Sequence, residues 1–509
     1  MANRKPDDPL AKLGKTTVMF DPHQPAETFW REVCRVLRKT DRFFCMDGSL
    51  VEITPKRGLQ LISPQNFNAS AFRYLEVRTE TKDGLVYKLP PRTIVQPFVS
   101  SPEFIRKRFR PLDVYTTIPF VTPAFGIITR PGYGKKSRAY YDGVEIEPVE
   151  GDHHLQKMLS GFHWASEADL VNFVALLLCG LMAHHFSGRR PVGVVSGNKP
   201  GVGKSLLAKL CGILLDGQVQ RTISYRKNDE EFEKQLATCV RSGARVVVVD
   251  NVRADGAEIR SAALERSITD EHLNFRLLGT STAITKPNDL VFVLTVNRAR
   301  LSPDLARRSL PINLSFDGDV RAHHYPIADL TDFAKGHRKE ILGELVSIIK
   351  NFAMAGQPIP EEPAQHSVCQ TWAATMDGML RQSGWNGFLS NYDDAQLAYA
   401  PRYAVLLAVC EVFHDADEGT AADWAARISA SPIVEQLGPG FSERTQRGQQ
   451  TVIGSLFQEF KGAEFSLGAD RYTMQVSSSS NSHQSKRYAF TRIASNDAST
   501  AGGSHDPTT

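Results

Sequence analysis

The chain has 509 residues, of which 41% are hydrophobic and 23% are charged, and its formal net charge is +4. That length exceeds what one hydrophobic core organises, so we expect two to four domains, and the ordinary composition excludes a fibrous or wholly disordered protein. The 7 cysteines form no C-x-x-C pair, which argues against a zinc or redox motif and fits reduced thiols.

The longest apolar run, residues 171–183, is shorter than the roughly 18 to 20 residues that a membrane span needs. It is therefore predicted to be a buried helix. The start of the sequence, MANRKPDDPLAKLGK, lacks the apolar segment and the cleavage site of a secretory signal. These features predict a cytoplasmic protein with no membrane partner.

Residues 1–25 are expected to be a flexible arm, and residues 26–150 a basic α+β domain. Apolar residues recur at helical spacing in FWREVCRVLRKTDRFF and SPEFIRKRF, with short strand-like runs between these segments. Residues 1–110 contain 20 Lys and Arg against 12 Asp and Glu. Such a surface favours a polyanion such as DNA, but ordinary solvated charge explains it equally well.

Residues 151–317 alternate helical patterns with β-branched runs: VGVVS, RTISY, RVVVVD, LVFVLTV and LPINL. Runs that are apolar throughout suit strands covered by helices on both faces. The pattern therefore predicts an α/β domain with a doubly wound parallel sheet. Helical patterns continue alone through residues 318–440, which we interpret as a helical lid and linker region.

Residues 441–493 are predicted to form a winged-helix-like module, because a helix, TVIGSLFQEFKG, precedes two strands, RYTMQV and KRYAFTRI. Such a module contacts DNA with one helix or else mediates protein contacts. The small polar residues 494–509 are expected to be disordered. The acidic cluster HDADEG at 414–419 is interpreted as a solvated loop rather than a metal site.

The segment VGVVSGNKPGVGKSLLAKL places a strand, a Gly-rich loop and the start of a helix in succession, as a Walker A loop does. Backbone N–H groups and the helix N-terminus of such a loop bind the phosphates of ATP. Lys204 is expected to reach the β- and γ-phosphates, and the Ser205 hydroxyl to bind Mg²⁺. Asn198 stands where the pattern has its first Gly, and Asn tolerates a left-handed backbone. The other residues predicted to bind ATP in this loop are Pro200, Gly201, Val202 and Gly203.

An acidic group on a neighbouring strand is needed to hold the metal ion, and RVVVVDN supplies Asp250. Asn251 follows where many ATPases have the Glu that activates water, and an amide cannot accept that proton. Glu258 and Glu265 are alternative candidates for the base. Asn297, at the end of LVFVLTVN, is predicted to orient the attacking water, or else to cap a turn.

Arg307 and Arg308 precede the last apolar run in RARLSPDLARRSLPINL. One of them is a candidate arginine finger, a guanidinium that stabilises charge on the γ-phosphate of a neighbouring subunit. The alternative is ordinary surface charge. A finger of this kind requires a homo-oligomer.

Taken in order, these motifs resemble those of the AAA+ helicase-type ATPases of phages, prophages and plasmids, the superfamily III-like helicase half of primase-helicase proteins. The resemblance covers about residues 40–390 and also rests on NFRLLGTSTAITKPNDLVFVLTVN, DLTDFAKGHRKEIL and SGWNGFL. It implies a hexamer that moves DNA through a central pore. It further implies that Arg276 and Lys286 contact DNA from a hairpin, and that Arg338 is a second nucleotide sensor.

The leading hypothesis is an ATP-dependent DNA helicase of a mobile genetic element. Residues 26–150 show no acidic pair with a partner His, so primer synthesis is not expected and a separate primase or replication protein is a candidate partner. The alternative is an AAA+ switch without unwinding activity, such as a loader, a transposition regulator or a phage-defence sensor, which Asn251 favours. A metabolic P-loop kinase is disfavoured by the arginine pair and the lid.

Overall fold

The computed structural model describes residues 15–54, 58–82, 84–186, 188, 190–218, 222–225, 228–241, 244–252, 258–276, 283–296, 300–318, 326–437, 440–467, 470–478 and 486–493. The chain divides into two compact units. The first unit comprises Met1–Ala299 and Arg307–Tyr392, and the second comprises Arg300–Ala306 and Asp393–Thr509.

Short strands and helices build the amino-terminal part of the first unit. The helices are α1 (Ala26–Lys39), α2 (Phe67–Ala71), α3 (Arg92–Val99) and α4 (Pro102–Arg108). The strands are β1 (Thr16–Met19), β2 (Phe43–Met46), β3 (Ser49–Thr54), β4 (Gly58–Leu61), β5 (Leu75–Thr81), β6 (Gly84–Tyr87), β7 (Arg110–Pro111), β8 (Val114–Thr116), β9 (Phe120–Val121), β10 (Ile127–Ile128), β11 (Gly132–Gly134) and β12 (Ala139–Tyr141). They form small sheets with the strand orders β1-β5-β6, β4-β3-β2-β7, β10-β9 and β11-β12-β8.

Two sequence-based expectations for this part need correction. The arm expected over residues 1–25 contains β1, because Val18 is buried and Phe20 packs against Phe29 with 5.2 Å between ring centroids. Residues 1–14 of that arm lie outside the described residues. The helix predicted in FWREVCRVLRKTDRFF ends at Lys39, because Asp41 takes a left-handed φ of 54° and the chain turns into β2.

The central part of the first unit contains the predicted parallel sheet. Its strands and the short strands between them are β13 (Val192–Gly197), β14 (Thr222–Ser224), β15 (Val246–Val252), β16 (Glu258–Ile259), β17 (His272–Arg276), β18 (Ala283–Pro287), β19 (Val291–Val296) and β21 (Ser309–Leu314). The intervening β20 (Arg300–Leu301) belongs to the second unit. In the described residues, β14-β15-β19-β13-β21 is the strand order of one sheet, and every neighbouring pair is parallel. The prediction of a parallel sheet is confirmed.

The helices of this part of the sequence are α5 (His153–Leu159), α6 (Glu167–Leu181), α7 (Lys204–Asp216), α8 (Asp229–Arg241), α9 (Ala262–Thr269), α10 (Pro303–Arg307), α11 (Leu330–Gly336), α12 (Arg338–Met354) and α13 (Gln370–Gln382). Side chains of α5, α6, α7, α11, α12 and α13 share one apolar core with the sheet, whereas α10 belongs largely to the second unit. Nearly every side chain of α6 is buried, as the apolar run within it predicts. The same core takes in Leu330 and Trp372, so α11 and α13 pack on the sheet domain.

The second unit begins earlier than the boundary expected at residue 441. Its elements, together with α14, which starts at the last residue of the first unit, are α14 (Tyr392–Tyr399), α15 (Pro401–Phe413), β22 (Gly419–Thr420), α16 (Ala421–Ser429), a 3₁₀ helix (Pro432–Leu437), α17 (Gln446–Glu459), β23 (Glu464–Leu467), β24 (Asp470–Ser478) and β25 (Lys486–Ile493). Leu406 and Trp424 share one core with Phe457 and Phe490, which joins α15 and α16 to the predicted helix and hairpin. The strand order β22-β25-β24-β23 is antiparallel throughout.

Two further features of the chain bear on the sequence-based expectations. The tail expected to be disordered from residue 494 lies outside the described residues. Among the helices that the structure describes, none combines the length and the apolar sequence that crossing a bilayer requires.

Candidate nucleotide-binding site

The predicted phosphate-binding loop connects β13 to α7, so a strand, a loop and a helix follow one another. Gly203 immediately precedes the helix and takes a φ of 103°, a left-handed conformation that glycine adopts without strain. Gly197 ends the strand, and a Cβ there would lie 2.5 Å from Cγ2 of Val202. The first turn of α7 carries backbone N–H groups that have no acceptor within the helix, so the loop ends in an arrangement suited to an anion.

Lys204 is buried beneath this loop. Its Nζ donates a hydrogen bond of 3.2 Å to the carbonyl oxygen of Lys199, which belongs to the loop itself. Burial lowers the pKa of Lys204, and the nearby charge of Asp250 opposes that shift. A phosphate group could therefore replace one carbonyl oxygen as the acceptor and would strengthen the charged form of the lysine.

Ser205 and Asp250 come together at the carboxyl edge of the sheet. The Ser205 hydroxyl donates a hydrogen bond of 3.1 Å to Oδ1 of Asp250. Asp250 also accepts a hydrogen bond from the hydroxyl of Thr295 on β19. The register between β15 and β19 shifts between Val249 and Val252, so Asp250 sits at an irregularity of the ladder.

The oxygen atoms of Ser205 and Asp250 fit a magnesium ion. Mg²⁺ prefers oxygen ligands and is usually held by one or two protein groups together with water and substrate phosphates. The hydrogen bond between these two side chains shows that they converge on one point. No cluster of three or more His, Cys, Asp or Glu side chains suited to a metal ion occurs within the described ranges. Any metal ion at this edge would therefore depend on phosphate and water ligands as well.

Asn198 departs from the Walker pattern, and its role differs from the one expected from sequence. It is absent from the non-glycine residues with positive φ, so a left-handed backbone is not the reason for an Asn here. Its Nδ2 donates to the carbonyl oxygen of Phe316 and its Oδ1 accepts from the N–H of Phe316, both at 3.2 Å. The amide therefore ties the loop to the segment that follows β21.

The residues proposed to act on water are Asn297, Glu258 and Glu265. Asn297 lies outside the described residues, although β19 ends one position before it. Glu258 and Glu265 lie near Tyr225, which follows β14, and burial and then the charges of Asp229, Glu265 and Glu258 raise the pKa of that tyrosine. β14 is three strands away from β13, so Tyr225 at its end lies about 14 Å across the sheet from the strand that leads to the loop.

The arginine pair lies at the opposite end of the sheet from the loop. The carbonyl oxygen of Arg308 accepts a hydrogen bond of 2.9 Å from the N–H of Val192, where β13 begins, and the loop follows the far end of that strand about 20 Å away. Arg307 is exposed, whereas Arg308 is half-buried. Arg308 lies near Cys369, since its charge opposes the rise to about 12 that burial causes in the pKa of that thiol. Neither arginine is positioned to serve the loop of its own chain.

The expectation that Arg338 senses nucleotide needs correction for the site of its own chain. Its Nε donates hydrogen bonds of 2.9 Å to the carbonyl oxygens of both Ile213 and Leu214, at the carboxyl end of α7. The loop precedes the amino end of this helix, about 14 Å away. Arg338 therefore caps the carbonyl end of α7, where a cation also complements the helix dipole.

The two residues expected to contact DNA lie on a hairpin before β19. β17 and β18 pair antiparallel, with Arg276 opposite Ala283 and Lys286 opposite Leu273. The connecting residues 277–282 lie outside the described residues. The backbone thus forms the hairpin that the resemblance implies.

Sequence reasoning missed several polar residues around the site. Thr295 is a hydroxyl within an otherwise apolar strand, and that interruption is a signal that could have identified it. Asp169 lies in the first turn of an otherwise apolar helix, and its Oδ1 accepts the N–H and the side-chain amide of Asn313. Asn313 in turn accepts a hydrogen bond from Ser196, two positions before Asn198. These contacts depend on tertiary packing, which the sequence pattern does not reveal.

Comparison with known proteins gives distant similarities. No family model and no curated protein matches the chain. A solved structure of the C-terminal region of NrS-1 is similar over 90% of this chain and 98% of that chain, with 10% sequence identity and a TM-score of 0.44. A second structure of that region gives 12% identity and a TM-score of 0.43 over the same shares of the two chains. A structure of JCV helicase covers 48% of this chain and 66% of that chain, with 12% identity and a TM-score of 0.25.

Proposed function

We propose that this chain is an ATP-dependent DNA helicase or translocase that works as a homo-oligomeric ring in the replication of a mobile genetic element. The observation that carries the proposal is the hydrogen bond between Ser205 and Asp250, which joins the predicted phosphate-binding loop to the predicted metal-binding strand. Lys204 lies in the same place and is buried beneath the loop. Together they supply the parts that nucleotide binding requires.

Each of these residues has a distinct role in the proposed reaction. The backbone of the loop and Lys204 hold the phosphates, while Ser205 and Asp250 would hold Mg²⁺. When bound, that ion neutralises charge on the β- and γ-phosphates. Thr295 holds the carboxylate of Asp250 in place through its hydroxyl. These roles orient the γ-phosphate for attack by water.

The arginine pair would act on the site of a neighbouring subunit. Arg307 is the better candidate because its side chain is exposed, whereas Arg308 is half-buried. Both lie at the end of the sheet opposite the loop, so a guanidinium here can reach a γ-phosphate only across a subunit boundary. Such head-to-tail contacts generate closed rings, and the resemblance implies a hexamer.

Contacts with DNA would come from both units. In the first unit, the hairpin of β17 and β18 would carry Arg276 and Lys286 toward the strand in the pore. In the second unit, α15, α16, α17 and the hairpin of β24 and β25 would serve as a winged-helix-like module, and Arg447 and Thr451, which are exposed on α17, would contact the DNA. A separate primase would supply primers, since the sequence of residues 26–150 has no acidic pair with a partner His.

A nucleotide-controlled switch without unwinding activity is the second candidate. Asn251, an amide that cannot act as a base, directly follows Asp250, and Glu258 and Glu265 lie near Tyr225, which follows the strand three places from β13. A site without a well-placed base binds ATP and turns it over slowly. A loader, a transposition regulator or a phage-defence sensor would function in this way.

ATP hydrolysis by the purified full chain, with and without single-stranded DNA, tests the proposal and separates it from the switch. Lys204→Ala removes the ammonium from the loop, and Lys209→Ala is the matched control because Lys209 is exposed on the same helix. We expect DNA to stimulate hydrolysis, Lys204→Ala to abolish it, and Lys209→Ala to leave it unchanged. The active protein should also displace a strand from a forked duplex. Binding of ATP without hydrolysis under any condition would leave the switch.

A further inference from the structure

β21 is an edge strand, and side chains cover much of its outer side. The strand is last in the order β14-β15-β19-β13-β21, and a bridge to Trp164 is formed near its end. The outward main-chain groups of Pro311 and Asn313 bond to side chains of α6, at 2.8 Å each. The carbonyl oxygen of Ser309 lies 3.3 Å from Nε2 of His366. These contacts satisfy main-chain groups that would otherwise be open to pairing with another strand.

Two consecutive residues hold this covering in place at both ends of the strand. Nδ2 of Asn391 donates a hydrogen bond of 2.6 Å to Oδ1 of Asp169, the carboxylate that also binds Asn313. The hydroxyl of Tyr392 donates a hydrogen bond of 2.6 Å to the carbonyl oxygen of Arg307, just before the strand begins. The segment ending at Tyr392 therefore contacts both ends of β21.

The contacts at the carboxyl end continue to the phosphate-binding loop. Asn313 lies beside Ser196 in the register between β13 and β21, and it accepts a hydrogen bond from the Ser196 hydroxyl. Ser196 is two positions before Asn198, where the loop begins. Asn313 and Asp169 thus form a continuous hydrogen-bonded path from the strand that precedes the loop to Asn391.

Burial makes this network stiff. Asp169 is 1% exposed, Asn172 0% and Tyr392 4%, so little water is available to replace a broken hydrogen bond. Oδ1 of Asn391 accepts a hydrogen bond of 3.0 Å from Asn172, whose own Oδ1 accepts one of 3.0 Å from the N–H of Leu389. A fully satisfied buried network of this kind specifies one geometry and is costly to distort.

We propose that Asn391 and Tyr392 are positioning residues, which hold Arg307 at a fixed place relative to the phosphate-binding loop of the same chain. The inference rests on the proposed function, because it gives Arg307 the role of serving the next subunit. The nucleotide bound at one loop then sets the position of the arginine that acts at the neighbouring site. Two adjacent sites of the ring become coupled through a single two-residue segment.

Tyr392→Phe tests the proposal because it keeps the ring and removes the hydroxyl that binds Arg307, together with the contacts of that hydroxyl to Ser367. Tyr141→Phe is the matched control, since the buried Tyr141 hydroxyl likewise donates to a backbone carbonyl oxygen, that of Val144. We expect Tyr392→Phe to lower kcat for ATP roughly tenfold with an unchanged KM, because the arginine is misplaced while the loop is intact. Tyr141→Phe should leave both constants unchanged.

Mixing variants shows whether a substitution damages the phosphate-binding loop or the arginine of the proposed shared site. Lys204→Ala subunits retain a well-placed Arg307, so adding them to Tyr392→Phe should restore hydrolysis. Adding Arg307→Ala subunits should not, because both partners then lack a functional arginine. Rescue by Arg307→Ala rather than by Lys204→Ala, or wild-type kinetics for Tyr392→Phe, would overturn the proposal.

Hydrogen exchange separates failure of this inference from failure of the proposed function. Tyr392→Phe should raise the exchange rate of the backbone amides in residues 303–309 several-fold, and Tyr141→Phe should not. If a mixture of Lys204→Ala and Arg307→Ala does not hydrolyse ATP, the proposal of a site shared between subunits is wrong. The exchange result still tests whether Tyr392 holds Arg307 in place. Unchanged exchange in residues 303–309 would overturn the inference whatever the kinetics.

Discussion

The hydroxyl of Ser205 lies 3.1 Å from Oδ1 of Asp250 and donates a hydrogen bond to it, joining the first turn of α7 to β15. This contact brings together two residues that are 45 positions apart in the sequence. It also places a hydroxyl and a carboxylate side by side, and both offer oxygen atoms, the ligand type that Mg²⁺ prefers.

Asp250→Asn is expected to remove the magnesium dependence of nucleotide binding. The amide keeps the size of the side chain but loses the charge that holds a divalent ion. We expect affinity for ATP in the presence of Mg²⁺ to fall at least about tenfold, and affinity in EDTA to change little. Titration of a fluorescent ATP analogue measures both values. Asp332→Asn, at an exposed position on α11, is the control, and equal Mg²⁺ dependence in both variants would argue against a metal site.

Asn198→Gly restores the glycine of the Walker pattern but is expected to weaken the site. The change removes both hydrogen bonds to the backbone of Phe316 and makes the unfolded chain more flexible. We expect a loss of about 1 kcal/mol in the free energy of unfolding, with weaker ATP binding. Urea denaturation and ATP titration check the two effects. Asn386→Gly, in an exposed loop, is the comparison, and tighter ATP binding by Asn198→Gly would contradict the role given to this amide.

Arg338→Ala distinguishes the helix-capping role that the structure indicates for Arg338 from a role in sensing nucleotide. Its removal leaves the carbonyl oxygens of Ile213 and Leu214 without this donor, so stability should fall by about 1 to 3 kcal/mol. ATP affinity should stay within about twofold of wild type, because the guanidinium is one helix length from the loop. Arg31→Ala, an exposed position on α1, should change stability by less than about 0.5 kcal/mol. A large loss of ATP affinity at unchanged stability would restore the sensor role.

His366 is expected to make the protein less stable in acid. Burial lowers the pKa of His366 from 6.5 to about 4. Its geometry agrees, because Nδ1 accepts hydrogen bonds from the N–H groups of Val368 and Cys369 and has no room for a proton. The unfolded chain therefore binds a proton more tightly than the folded chain, and stability falls as pH drops from 6.5 to 4. The full effect is about 3 kcal/mol.

His366→Asn removes this titration while keeping an acceptor at the same place. Urea unfolding at several pH values should show that the free energy of unfolding of the variant, relative to that of wild type, rises as the pH falls below 6.5. His23→Asn, at an exposed position, should give a curve parallel to wild type. Parallel curves of stability against pH for all three proteins would show that the pKa of His366 is the same in the folded and in the unfolded chain.

Features set by local patterns could be predicted from the sequence. Five apolar runs predict the strands of the parallel sheet, because burial on both faces requires apolar residues throughout. The strand, loop and helix around Lys204 follow from glycine and turn chemistry. The sequence could not place Arg338, because its side chain contacts residues more than 120 positions away. The same holds for Thr295 and Asn391, whose roles depend on which strands and helices become neighbours.

The second unit illustrates the same limit. The helix and hairpin near the end of the chain are local patterns, whereas Trp424 joins them through a hydrogen bond from its Nε1 to the carbonyl oxygen of Tyr488, 64 positions away. No periodicity connects these two residues, so the boundary expected at residue 441 comes too late.

The most direct test of the account is the rate of ATP hydrolysis by an equal mixture of Lys204→Ala and Arg307→Ala proteins, compared with each variant alone. Each variant alone should be inactive, since one lacks the lysine of every site and the other lacks the arginine. In a mixed ring, some interfaces combine the intact loop of one variant with the intact arginine of the other, so hydrolysis should reappear at a fraction of the wild-type rate. Activity that stays at zero in the mixture while wild type hydrolyses ATP would contradict a site shared between subunits.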